Sequence, residues 1–123
     1  MDSILTSIKK MLGIEATYDH FDADLIMHIN STLSVLTQLG IGPETGFFIT
    51  DASNTWFDFL KDDPRLGLVK SYMYLKVKLL FDPPSGSAAI ESMNRIVSEF
   101  EWRIQVAADT PQITSEGGTQ NGG

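Results

Sequence analysis

The chain contains no cysteine, which removes disulfides, thiolate metal sites and cysteine nucleophiles together. A small secreted scaffold stapled by disulfides is therefore excluded. Cations are scarce, with nine Lys and Arg against sixteen Asp and Glu and a formal net charge of -7. Affinity for nucleic acid driven by phosphate neutralisation needs clustered Lys and Arg, so any DNA this chain meets should be tolerated or repelled. No stretch approaches the roughly 20 apolar residues that span a bilayer, and no basic region leads into a long apolar run at the N-terminus. A soluble intracellular protein that engages no membrane is expected.

Histidine occurs twice. Asp19, His20, Asp22 and Asp24 form the one cluster resembling a metal or acid-base site, but they lack the further oxygen ligands and closing Glu of a calcium loop. They also lack the paired histidines of a zinc motif. Asp22 instead suits the N-cap of a helix, and Asp24 complements the positive end of that helix. His28 lies off the apolar stripe of the same helix. No phosphate-cradling loop, nucleophile elbow or zinc signature is present, so no catalytic residue, metal or cofactor is expected and the chain does not read as an enzyme.

What is present is helical periodicity. The 123 residues are 42% hydrophobic, enough for one domain with a modest core. Leu66 to Phe81 carries apolar residues over roughly 200° of a helical wheel, wider than a one-sided surface helix shows, and this segment should be the centre of the fold. Asp82-Pro83-Pro84 stops it. Lys76 projects near the middle of its apolar arc, where an unpaired ammonium is costly, so it either snorkels to an edge or forms a buried ion pair with a carboxylate from a neighbouring segment or subunit. Two earlier helices end in the same three residues, Leu12-Gly13-Ile14 and Leu39-Gly40-Ile41, with the glycine suited to the left-handed position after a helix. The fold class is all-α: a small bundle of main helices near residues 3 to 12, 23 to 39, 66 to 81 and 87 to 108, with an aromatic turn at Trp56-Phe57-Phe59-Leu60 whose first duty is packing. Residues 1 to 108 form the helical domain. The tail, 109 to 123, is rich in Gly, Thr and Gln and is expected to be flexible unless a partner orders it.

Three regions could contact partners. The loop from Ile41 to Thr55 is punctuated by Gly and Pro around Phe47-Phe48-Ile49, which can either plug the core or dock onto a neighbour. On the last helix, Ile90, Met93, Val97, Phe100 and Ile104 trace a narrow stripe, while Glu91, Arg95, Glu99 and Arg103 repeat every four residues with alternating sign. Trp102 falls about 120° from Ile90 at 100° per residue, outside the stripe, and is the best single interface anchor. The tail is the third.

The order of these elements, with cues in ILTSIKKMLGIE, the FDADL start of the second helix, QLGIG and VKSYMYLKVKLLFDPP, resembles the small all-helical head-tail connector proteins of long-tailed bacteriophages, also termed head-completion or adaptor proteins. The resemblance runs from about Ser3 to Ala107. It implies a structural virion protein that builds a ring, commonly of twelve copies, beneath the portal protein at the capsid vertex. Such a ring extends the DNA channel without sequence-specific binding and receives the next neck or tail-completion protein. It also implies a location at the head-tail interface of the virion, with assembly in the host cytoplasm. The residues alone leave a second reading, a small acidic helical binding module or inhibitor. A DNA-binding repressor fits poorly, since the most cationic helix spends most of its surface on the core.

Overall fold

A computed structural model of the chain describes residues 2–109, and the tail beyond Asp109 lies outside the described residues. Five helices occur in that range: α1 Ile4–Met11, α2 Asp22–Gln38, α3 Trp56–Leu60, α4 Leu66–Phe81 and α5 Ser87–Asp109. The all-α expectation holds. Among the described residues the one β-type pairing is an isolated bridge between Ser3 and Thr55, where Ile4 N donates to Asn54 O and Trp56 N to Asp2 O, each at 3.0 Å. That bridge ties the start of α1 to the start of α3.

Local chemistry sets the helix ends. Ser3 caps α1 by accepting from Thr6 N at 3.1 Å. After α1, Gly13 takes φ 82, Ile14 N donates to Lys9 O at 2.8 Å and Gly13 N to Lys10 O at 3.1 Å. After α2, Gly40 takes φ 90, Ile41 N donates to Leu36 O at 2.9 Å and Gly40 N to Thr37 O at 3.1 Å. Both are the paired bonds of a Schellman stop, so the shared Leu-Gly-Ile was a true signal. Thr55 and Asp58 form a reciprocal capping box on α3, and the bond from the Thr55 amide, first among the causes, holds the Asp58 carboxyl below its ordinary range. Lys61 closes α3 with φ 57 and ψ -132, a conformation L-residues avoid.

Asp22 does not cap α2. Phe21 holds the cap position without a side-chain bond, and the Asp22 carboxylate turns back to Lys9 instead. Lys9 is 2% exposed, its Nζ 3.0 Å from Ala16 O, 2.6 Å from Tyr18 O and 2.8 Å from Asp22 Oδ1. That carboxylate oxygen is buried with no well-angled hydrogen bond, so its contact with the ammonium is mainly coulombic. The lysine stem crosses the α1–α2 connection and fixes it from inside.

α4 occupies the centre with α2 on one flank and α5 on the other. Phe81 and Tyr72 are nine residues apart, half a turn around the helix at 100° per residue. Phe81 meets Phe21 edge-on at 5.2 Å beside α2, whereas the Tyr72 hydroxyl donates to Glu101 of α5 at 2.8 Å. Val69, Tyr72, Met73 and Val77 of α4 are fully buried, with Leu25, Ile29, Leu33 and Leu36 of α2 and Ile4, Leu5 and Ile8 of α1. Among the described side chains of α5, only Val97 and Ile104 enter this core completely. Trp56 is also buried, its Nε1 donating to Ser7 Oγ at 3.1 Å with the Lys70 ammonium over its ring. Trp56, Phe59 and Leu60 of the aromatic turn pack inward as expected, whereas Phe57 stays 43% exposed.

Candidate protein-protein interface

The loop after α2 runs extended past Phe47, and its side chains alternate as they do in a strand. Phe47 is half-buried against Phe59 at 5.1 Å, Phe48 is 68% exposed and Ile49 is 1% exposed. Ile49 is thus a core residue and leaves the set of interface candidates. Asn30 of α2 imposes the alternation: its Nδ2 donates to Ile49 O at 2.9 Å and its Oδ1 accepts from Ile49 N at 2.7 Å, as a strand neighbour would. With the loop pinned at Ile49, Phe48 stands beside a groove of about 390 Å³ lined by Asn30, Ser34, Thr37 and Gln38 of α2 and by residues 45–48.

α5 presents a second surface. Its inward stripe faces α4, which leaves Arg95, Ile96, Glu99, Trp102, Arg103 and Val106 on the outside. Trp102 is 64% exposed, and Ile96 and Val106 remain 42% and 43% exposed. Glu99 accepts from Arg103, whose guanidinium also reaches the Phe100 ring. Arg95 bonds Ser92 Oγ at 3.4 Å and has no carboxylate partner among the described residues. Trp102 therefore lies where the helical wheel puts it. Ile96 and Val106 were missed, although Ile96, Glu99, Trp102 and Val106 follow steps of three and four that mark a second stripe.

Lys76 meets Glu101 of α5 at 3.7 Å. The acidic partner exists, but the pair is not buried: the two side chains are 31% and 32% exposed. Lys76 reaches the α4–α5 edge along its stem, as amphipathic side chains do. The buried member of this group is Tyr72, whose ionisation is pushed well above its ordinary range by burial, then by its bond to Glu101 and by the carboxylate charge. The lysine enclosed among the described residues is Lys9, in the last turn of α1.

Cations are absent from the α2 flank. From Met11 to Leu60, through α2 and the loop, there is no Lys or Arg, against Glu15, Asp19, Asp22, Asp24, Glu44, Asp51 and Asp58. Apart from Asp22, these carboxylates belong to exposed residues. Among the described residues no three His, Asp or Glu side chains converge as metal ligands, and none of the helices is long and apolar enough to cross a membrane.

A family model described as phage connector protein matches residues 4–111, nearly the whole helical domain. The chain belongs to this family. It is a phage head-tail connector, in agreement with the resemblance carried by its element order and its short sequence cues. No curated protein and no solved structure matches it. Among the described residues, the outer face of α5 and the groove beside Phe48 are surfaces that the internal core leaves unclaimed.

Proposed function

We propose that this connector assembles into a ring, of twelve copies, beneath the portal protein at the capsid vertex, extends the DNA channel and receives the next neck or tail-completion protein. The role is structural, with no catalytic step. The observation that carries this reading is the family match along residues 4–111. Two physical features support it. A net charge of -7 limits electrostatic hold on DNA moving through a channel. Exposed Trp102 on α5 and exposed Phe48 in the loop after α2 supply the two unlike patches that a closed ring of identical subunits requires. Residues 1–108 form the assembling domain, and the tail beyond it is a further contact for the portal or neck partner. The test is incubation of purified connector with portal-bearing, DNA-filled capsids that lack it, followed by imaging. Added ring density at one vertex is the expected result, and bare vertices at saturating connector overturn it.

A further inference from the structure

We propose that copies of this chain pair head to tail, with Trp102 on α5 of one copy seated in the groove between α2 and residues 45–48 of the next. The proposal rests on the ring reading above and adds which two faces meet.

Three observations select a second copy as the occupant. Among the described residues, the large hydrophobic side chains left most exposed are Phe48, Trp102 and Met27, at 68%, 64% and 60%. Two of these belong to the α2 flank and one to the α5 flank, and α4 lies between the flanks. Unlike patches on opposite sides of one subunit are the arrangement that propagates around a ring. The groove also suits an indole. Its volume is about 390 Å³, Phe48 offers a ring for an offset or edge-on contact, and the Ser34 hydroxyl and Gln38 amide can accept from the indole N–H. Charge then fixes the direction. The α5 face brings Arg95, without a carboxylate partner among the described residues, beside the Glu99–Arg103 pair, whereas the groove lining has no cation and lies beside exposed Glu44. Groove against groove would set the Glu44 side chains of two copies on the same seam with no cation in the groove lining to compensate, which disfavours a symmetric pairing of that face.

The absence of cysteine makes the contact directly testable. Ser98 precedes Trp102 by one turn on the outer side of α5, Ser34 lines the groove, and both are exposed. The Ser34→Cys, Ser98→Cys double variant is incubated with portal-bearing capsids, treated with a short bismaleimide and resolved by denaturing electrophoresis. A ladder of two, three and more linked chains in the double variant, with neither single variant linking, supports the pairing. Trp102→Ala in the same background should reduce the ladder by about tenfold or more while the melting transition stays cooperative. Dimers from Ser98→Cys alone would show α5 against α5 and overturn it. Rings imaged at the vertex without a ladder would overturn the pairing and leave the connector reading standing. A ladder with bare vertices would do the reverse, and bare vertices without a ladder would sink both.

Discussion

Replacing Lys9 by Met keeps most of the stem volume and deletes the ammonium, so it isolates the worth of the one charged side chain buried among the described residues. Three acceptors lose their partner: Ala16 O, Tyr18 O and Asp22 Oδ1. Hydrogen bonds to a charged group contribute about 1.5–3 kcal/mol each, and breaking a buried ion pair from one side costs about 3–5 kcal/mol. The Asp22 side chain is 30% exposed and the residues carrying both carbonyls lie at the surface, so water can recover part of the loss. That places Lys9→Met near the low end, about 3 kcal/mol. Asp22→Asn is milder, because the ammonium keeps both carbonyls and gains an amide oxygen, and about 1 kcal/mol is expected. In a domain of about 100 residues each kcal/mol moves Tm by about 4–8 °C, so Lys9→Met should melt on the order of 15 °C below the parent and Asp22→Asn about 5 °C below. Thermal unfolding followed by helical circular dichroism at neutral pH reads both. Because Lys9 is 2% exposed, the gap should persist in roughly 1 M salt. Equal losses in the two variants, or a Lys9→Met chain melting with the parent, would refute the reasoning.

The Tyr72–Glu101–Lys76 group predicts a second asymmetry: Glu101→Ala strands a fully buried hydroxyl and should cost about 1–3 kcal/mol, while Lys76→Met, at a half-exposed position, should stay within about 1 kcal/mol in the same melting assay. The Tyr72 hydroxyl is held protonated more firmly in the fold than in the open chain, so its contribution is complete below the ordinary tyrosine range near 10 and is lost as pH rises beyond it. Absorbance at alkaline pH should therefore show Tyr72 ionising only together with unfolding, a coupling that Tyr72→Phe removes. Lys61→Gly relieves a conformation that costs on the order of 1–3 kcal/mol in a non-glycine residue, so a rise in Tm is expected despite the added freedom of the unfolded chain.

Where residues act through period or punctuation, the sequence was a good guide. The wide apolar arc of α4 made it central, the repeated Leu-Gly-Ile made two helix stops, and the off-stripe position of Trp102 made it exposed. Where residues act through contacts across a connection, it was poor. Lys9 sits in the last turn of α1 next to Lys10, and no local pattern distinguishes a lysine that bonds loop carbonyls from one that reaches solvent. Asp22 has the residue type and position of a cap, yet a buried ammonium draws its carboxylate elsewhere. Ile49 was placed with Phe47 and Phe48 as one apolar unit. The signal that separates them is strand-like alternation inside a loop, and Asn30, nineteen residues earlier, enforces it.

The grip of α5 on the rest of the molecule sets an order of opening. It is the longest helix at 23 residues, yet only Val97 and Ile104 of its described side chains are fully buried, and it follows a Pro-Pro-Ser-Gly join. α4 is enclosed from two sides and shares its interior with α1 and α2. Amide protons of α5 should thus exchange with solvent through local opening, while those of α4 wait for the whole domain to unfold. In a subunit meeting its neighbours, the helix that carries Trp102 is also the one whose tilt can change with least disturbance to the interior, so curvature can be absorbed at the seam.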